Sequence, residues 1–211
     1  MQPFTTLTGV AAPLLRDDIN TDQICPVLPL RLLDPDYGAQ LFVRMRKQPD
    51  GSDSPDFVLN QPQYRSAHIL VAGRNFGCGS ARESAAWAVE AFGIRCIVAR
   101  SFAELFRNNA VRNGVLPVVL PDGAMDVFQA KVVAVNGATN FMVDLSQKFI
   151  VCPDGSVFPF EFDAADRAAL LQGLDEIGLT LQNAADIAAW ELRCRKTQPW
   201  LQSTDRQAEP K

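Results

Sequence analysis

Residues 73–84, GRNFGCGSARES, combine residue types that can bind an anion and move a proton. They lie between an apolar run and a helical pattern. A chain entering a helix offers free backbone N–H groups and the positive end of the helix dipole, and the guanidinium of Arg82 can grip a carboxylate with two hydrogen bonds. The same positive surroundings lower the cost of an alkoxide, so Ser80 can act as a base without a histidine. The stretch therefore predicts a site for a small dicarboxylic acid.

The same residue types are equally compatible with a plain helix start. Glycines permit a turn from strand into helix, and both Ser80–Glu83 and Ser101–Glu104 fit the S-x-x-E capping box. Other chemistries match less well. The absence of G-K-[ST] and of G-x-G-x-x-G argues against a nucleotide site, and the absence of G-x-S-x-G, with His68 as the one histidine, argues against a serine hydrolase.

The elements around this stretch alternate between strand and helix. The apolar runs are 68–73, 94–99 and 115–120, and the helical stretches between them are 82–92 and 101–114. This order predicts parallel strands joined by crossover helices, and Gly93 and Gly114 are placed to end the two helices.

After Pro121 the pattern becomes β-like and predicts an antiparallel meander. Helices are predicted from Asp163 and from Asn183, and residues 196–211 are predicted to be a disordered tail. Residues 1–195 are thus expected to form a single domain. The predicted meander strands are 131–135, 141–145, 148–152 and 156–160.

Composition narrows the class of partner. The chain has 211 residues, 24 acidic against 20 basic, and a net charge of -4, which gives no attraction for nucleic acid or an anionic membrane. The N-terminal MQPFTTLTGVAAPLL has no basic flank and no long apolar run, so a cytoplasmic protein is expected. Five dispersed cysteines and one histidine indicate no zinc site, no disulfide framework and no metal held by this chain alone.

Residues 75–89, NFGCGSARESAAWAV, strongly resemble the N-F-G-x-G-S-S-R-E-H signature of the small subunit of 3-isopropylmalate dehydratase, which corresponds to the swivelling C-terminal domain of the aconitase family. Residues 17–26, DDINTDQICP, are similar to that family's N-x-D-T-D-x-I-x-P segment. Several separated matches in one order are more specific than one motif. Further similar segments are 56–64, 101–120 and 173–181.

This resemblance implies an α/β swivel domain with three layers, β/β/α, in which the parallel strand-helix-strand core and the antiparallel meander are both present. It implies a separate large subunit that carries a [4Fe-4S] cluster and most catalytic side chains, so that this chain binds no cofactor. The family reaction is the dehydration and rehydration of an alkylmalate, 2-isopropylmalate to 3-isopropylmalate in leucine biosynthesis, with one iron acting as a Lewis acid.

The resemblance also implies roles for residues of the glycine-rich stretch. Ser80 is the base that removes and returns the carbon-bound proton. Arg82 binds a substrate carboxylate, Ala81 offers its backbone N–H, and Gly79 gives the substrate room.

Supporting positions are implied as well. Thr21 and Asp22 match the family's T-D pair, although in isolation Asp-Asn-Thr-Asp is more often a turn. Gly77 and Glu83 support the motif, and the polar loop around 38–60 reads the variable side group of the substrate.

Two residues depart from the signature. Ala81 stands where the family has a second serine, and Ser84 stands where it has a histidine. Ser80 and Arg82 remain intact. The departures leave open a paralogous small subunit for citraconate, maleate or another malate derivative, or a module that binds an anion without chemistry.

Overall fold

The computed structural model describes residues 1–27 and 35–201. Two compact units are present, Met1–Leu174 and Asp175–Lys211, and the boundary between them falls inside the predicted domain 1–195. The strands in the described residues are β1 Thr6–Gly9, β2 Ala11–Leu14, β3 Ile69–Ala72, β4 Cys96–Ala99, β5 Leu116–Val119, β6 Phe141–Asp144, β7 Phe149–Val151 and β8 Val157–Pro159. The helices are α1 Thr21–Ile24, α2 Tyr37–Gln40, α3 Val43–Arg46, α4 Ser84–Phe92, α5 Glu104–Arg112, α6 Asp122–Val135, α7 Ala164–Gln172, α8 Glu176–Leu181 and α9 Ala184–Thr197.

A parallel sheet in the order β2-β3-β4-β5 carries the candidate site. Every residue of β3 and β4 is buried, as expected for strands that are covered on both faces by crossover elements. The three predicted strands and the two crossover helices, α4 and α5, are confirmed. The fourth strand, β2, comes from an N-terminal segment for which the sequence predicted no element; its Leu14 pairs with Ala72.

A second, antiparallel sheet has the order β1-β6-β7-β8. Three of the four predicted meander strands are confirmed as β6, β7 and β8. The prediction of a strand at 131–135 is wrong, because these residues form the end of α6. Met125, Phe128 and Val132 recur at helical spacing and are all buried, and this period outweighs the local β-propensity of KVVAV.

The parallel sheet separates two hydrophobic cores. Leu70 and Ile97 face the first, which contains residues of α4 and α5. Val71 and Val98 face the second, which contains α6 and the inner face of the antiparallel sheet. Phe128 of α6 packs edge-on against aromatic rings of β6 and β8, with centroids 5.7 and 5.3 Å away. The β/β/α layers implied by the resemblance are confirmed.

Both crossover helices begin later than predicted, and neither capping box forms. Helix α4 begins at Ser84 and α5 at Glu104, and their N-cap residues make no side-chain capping bond. Ser80 and Ser101 are engaged elsewhere: the Ser80 N–H donates to Thr21 Oγ1, and Ser101 Oγ accepts from the backbone of residue 75. Tertiary contacts thus hold both serines outside the helices. The predicted helix ends at Gly93 and Gly114 are confirmed, with φ of +101° and +77°.

Internal hydrogen bonds order the polar region around 38–60. Arg46 donates to the carbonyl of Leu41 at 3.2 Å, and its guanidinium lies 4.8 Å from the ring centroid of Phe92. Asn60 donates back to the Arg46 carbonyl at 2.7 Å. Burial lowers the pKa of Arg46, and the carboxylate of Asp53 opposes that shift. Arg46 therefore serves to hold this region together.

The unit Asp175–Lys211 contains α8 and α9, followed by a 3-10 turn at Pro199–Leu201. The predicted helix from Asn183 is confirmed as α9. It continues through Thr197, two residues beyond the predicted domain boundary at 195. Residues 202–211 of that tail lie outside the described residues.

Candidate active site

The predicted site residues meet at the carboxyl edge of the parallel sheet, beyond the ends of β2 and β3. Parallel α/β sheets place their ligand sites at this edge, because the connecting loops converge there. Past the strand ends, the segments that follow β2 and β3 continue side by side. The Gly77 N–H donates to the carbonyl of Ile19 at 2.7 Å, and the Thr21 N–H donates to that of Cys78 at 2.8 Å. This extended pairing brings Thr21 next to Ser80.

Thr21 contacts both residues that carry the predicted chemistry. Its side chain is buried, with 1% exposed, and its Oγ1 accepts from the Ser80 N–H at 3.1 Å and from Arg82 Nη2 at 3.4 Å. A capping box between Asn20 and Gln23 fixes Thr21 at the start of α1. The N-x-x-Q spacing of this capping box is visible in the sequence, and it is the signal that indicates a helix starting at Thr21.

The guanidinium of Arg82 is engaged at one end only. Nη2 donates to Asp22 Oδ1 at 2.5 Å, and the two side chains are 25% and 57% exposed. Nε is buried and has no hydrogen-bond partner among the described residues. Asp22 therefore balances the charge of Arg82 and orients it, while the rest of the guanidinium stays uncommitted.

The hydroxyl of Ser80 is exposed and makes no hydrogen bond within residues 1–27 and 35–201. The backbone N–H groups of Gly79 and Ala81 are also without an intramolecular acceptor there, whereas the Arg82 N–H donates to the Ser80 carbonyl at 2.8 Å. One exposed loop thus presents a hydroxyl beside two free amide donors.

The predicted setting of Ser80 at a helix N-terminus is wrong. Helix α4 begins four residues later, at Ser84, because Thr21 holds the Ser80 N–H and keeps the intervening loop out of the helix. Any stabilisation of an alkoxide by this chain therefore comes from loop amides and the Arg82 charge.

The two glycines of the loop both have positive φ, and only Gly77 is tightly approached by a side chain. Gly79 has φ of +98°, and a Cβ there would lie 3.4 Å from Thr21 Oγ1. Gly77 has φ of +80°, and a Cβ there would lie 2.2 Å from Cγ of Phe106. Phe106 itself packs edge-on against Phe76 at 5.2 Å. Gly77 supports the loop by allowing it to lie directly on this aromatic pair.

Gly77→Ala is expected to lower the free energy of unfolding of the free chain by about 3 kcal/mol, because the new Cβ meets Phe106 and the backbone is left-handed. The measurement is urea unfolding followed by circular dichroism. Gly155→Ala is the matched control: φ is +82°, but a Cβ would meet nothing within 4 Å, so a loss of about 1 kcal/mol is expected. Equal losses in both variants would show that Phe106 is not the cause.

Glu83 does not make the capping bond that the sequence predicted, whereas Ser84 is the first residue of α4. The Glu83 side chain is exposed and makes no capping bond. The Ser84 side chain lies near the buried thiol of Cys25: burial raises the pKa of this thiol, and Ser84 and Arg82 lower it in part, while Cys25 Sγ donates to the Pro26 carbonyl at 3.7 Å. Ser84, one of the two departures from the signature, thus faces the segment that carries Thr21.

The chain offers no place for an iron-sulfur cluster in its described part. No three His, Cys, Asp or Glu side chains between 1 and 27 or between 35 and 201 are close enough to share a metal ion. Cys78, next to the site, is a free cysteine, and His68 bonds the Gly93 carbonyl at the opposite edge of the sheet. No helix among the same residues is long and apolar enough to cross a membrane.

A network of ion pairs lies beyond β4 and β5 at the same edge. Asp122 pairs with Arg74 at 2.6 Å and with Arg100 at 3.3 Å, and these two cations lower its pKa. A cavity of about 550 Å³ adjoins the network, and none of the predicted site residues lines it. The predicted site residues Ser80 and Arg82 lie instead on the loop after β3.

Comparison with known proteins gives matches over nearly all of the chain. Residues 1–123 match the aconitase C-terminal domain, and residues 176–204 match the C-terminal domain of the 3-isopropylmalate dehydratase small subunit. A 3-isopropylmalate dehydratase small subunit of Paracoccus denitrificans is 48% identical over 203 residues, covering 95% of this chain and 100% of that one. A protein of the same name from Paramagnetospirillum magneticum is 49% identical over 204 residues, with coverage of 95% and 100%.

A solved structure shares the fold. The 3-isopropylmalate dehydratase of Methanocaldococcus jannaschii superposes with a TM-score of 0.61 at 23% identity, covering 88% of this chain and 99% of that one. At that identity the likeness concerns the fold alone.

Proposed function

The chain belongs to the family of 3-isopropylmalate dehydratase small subunits, and we propose that it is the small subunit of a heteromeric hydro-lyase that converts 2-isopropylmalate to 3-isopropylmalate in leucine biosynthesis. The observation that carries the proposal is the identity of 48% over 95% of the chain and the whole length of a relative with that name. This similarity does not favour a paralogue for citraconate or maleate, or an anion-binding module.

Ser80 is proposed as the base. Dehydration of an alkylmalate removes a proton from one carbon and the hydroxyl from its neighbour, and rehydration adds them in exchanged positions. The Ser80 side chain has no intramolecular partner among the described residues and is exposed, so its alkoxide form is available to take that proton, becoming the hydroxyl, and to return it on rehydration. The adjacent N–H groups of Gly79 and Ala81 and the charge of Arg82 stabilise the negative charge that forms near the serine.

Arg82 is proposed to bind a carboxylate of the substrate. Asp22 and Thr21 hold its Nη2, which fixes the plane of the guanidinium, and Nε is buried, so Nη1 is the nitrogen that is left for the ligand. The Ala81 N–H lies in the same loop and adds a second type of donor. Pre-oriented donors of this kind reduce the entropy that is lost when the substrate binds.

The partner is proposed to be a large subunit that carries the [4Fe-4S] cluster, docked on the carboxyl edge of the parallel sheet. The described residues of this chain provide no cluster ligands, and the edge around Ser80 is open to solvent. Leu15, in the loop after β2, and Leu105, in the first turn of α5, lie at this edge and are 43% and 56% exposed, as expected of residues that a partner covers. We place the complex in the cytoplasm, acting on a small alkylmalate and on no nucleic acid or membrane.

Reconstitution tests the proposal directly. The purified chain is expected to show no dehydratase activity, and mixing it with the cognate large subunit is expected to give activity on 2-isopropylmalate. Citraconate and maleate are assayed side by side with it. Preference for either would identify a paralogue, and an assembled complex that is inactive on all three would favour an anion-binding module.

A further inference from the structure

Asp18 and Asn75 share an unusual backbone conformation next to the site. Both have φ of +53°, in the left-handed region that non-glycine residues rarely occupy. They lie opposite each other, on the two segments that continue past β2 and β3. Such strained residues persist only where their surroundings hold them, and they cluster at functional sites.

Hydrogen bonds tie the two residues together. Asn75 Nδ2 donates to Asp18 Oδ1 at 2.8 Å, and the Asp18 N–H donates to the carbonyl of Arg74 at 2.9 Å. The Asn75 N–H donates to Ser101 Oγ at 2.8 Å, which also anchors the pair to the loop after β4. Asp18 and Asn75 thus form a hydrogen-bonded link, here called the clasp, between the two segments.

The clasp lies at the bend that follows β2 and β3, and the pairing register between the two segments is the same before and after this bend. Leu14 pairs with Ala72 before the bend, and Asn20 pairs with Cys78 after it. The two segments therefore have the same number of residues between the two pairs. Beyond the bend, the chains pair again through backbone bonds. The two segments that deliver Thr21 and Ser80 therefore leave the sheet as one unit, at an angle set at the clasp.

We propose that Asp18 and Asn75 are positioning residues, whose side-chain bond fixes the direction in which the paired segments project and therefore the place of Ser80 and Arg82 relative to the substrate. The catalytic part of this inference rests on the function proposed above. A displacement of about 1 Å at a reacting group can cost up to about 10²-fold in rate, so a loosened clasp is sufficient to impair turnover.

Asn75→Gly removes the side chain and keeps a residue that tolerates positive φ. In the complex with the large subunit, kcat is expected to fall about tenfold while the melting temperature of the free chain changes little. Asn136→Gly is the matched control, because Asn136 also has positive φ, 47°, and its side chain bonds Tyr64 far from the site. Its kcat is expected to equal that of the parent.

Hydrogen exchange gives a readout that does not depend on activity. The Gly77 and Thr21 amides are bonded across the paired segments, and both are expected to exchange faster in Asn75→Gly than in the parent or in Asn136→Gly. If the parent complex is inactive on every malate derivative, the proposed function fails, and these exchange rates still decide the role of the clasp.

A charge-swapped pair completes the test. Asn75→Asp alone opposes two carboxylates and is expected to lower kcat at least as much as Asn75→Gly. In the double variant Asp18→Asn/Asn75→Asp, the side chain at 18 donates and the side chain at 75 accepts. This variant is expected to recover most of kcat. A kcat for Asn75→Gly within twofold of an active parent, unchanged exchange, or a swap no better than Asn75→Asp would overturn the proposal.

Discussion

Ser80→Ala in the assembled enzyme is expected to lower kcat by about 10³-fold, the range in which loss of a general base falls. The affinity of the two subunits and the stability of the free chain are expected to stay at their parental values. The reason is structural: the Ser80 hydroxyl is exposed and bonded to nothing within the described residues, so alanine leaves neither a cavity nor an unpaired group. The bond from the residue 80 N–H to Thr21 is retained.

The measurement is kcat at saturating large subunit, with a separate titration of subunit affinity. Ser156→Ala is the matched control, since it removes a hydroxyl from an exposed turn where Oγ bonds Asp154, and it is expected to leave kcat unchanged. Normal turnover by Ser80→Ala would remove Ser80 as the base. A loss of activity that a higher concentration of large subunit repairs would assign Ser80 to assembly instead.

The sequence predicts the strands and crossover helices well because their signals are local. Runs such as 96–99 are continuously apolar, which is what a strand buried on both faces requires. The predicted helix starts are wrong for the opposite reason. Whether a serine caps a helix depends on the other hydrogen-bond partners within its reach. Ser80 bonds Thr21, 59 residues away in sequence, and Ser101 bonds Asn75, 26 residues away, so neither serine caps its helix.

The chemistry-bearing residues are easier to predict than the residues that position them. Ser80 and Arg82 stand out by type and by resemblance, and the structure puts both on one exposed loop. Nothing in the type or spacing of Asn75 indicates its partner, whereas in the structure its side chain bonds Asp18, 57 residues away in sequence. A pairing of this kind becomes visible only when the register between β2 and β3 is known.

Arg82→Lys is expected to lower kcat/KM for 2-isopropylmalate by about 10²-fold, mainly through a higher KM. Lysine keeps the charge, but a single ammonium cannot bond Asp22 and Thr21 on one side and a carboxylate on the other, as a planar guanidinium can. The loss of one charge-assisted hydrogen bond, about 2–3 kcal/mol, corresponds to that factor. Steady-state kinetics of the reconstituted complex separates kcat from KM.

The matched control for Arg82 is Arg95→Lys at the amino edge of the sheet, where Arg95 bonds the Gly114 carbonyl and the side chain of Gln2. It is expected to lower the melting temperature slightly and to leave KM unchanged. If Arg82→Lys reduced kcat at an unchanged KM, Arg82 would act on the transition state alone and its assignment as the group that binds the substrate carboxylate in the ground state would be wrong. If both lysine variants raised KM alike, the effect would come from general loosening of the fold, because the two arginines lie at opposite edges of the sheet.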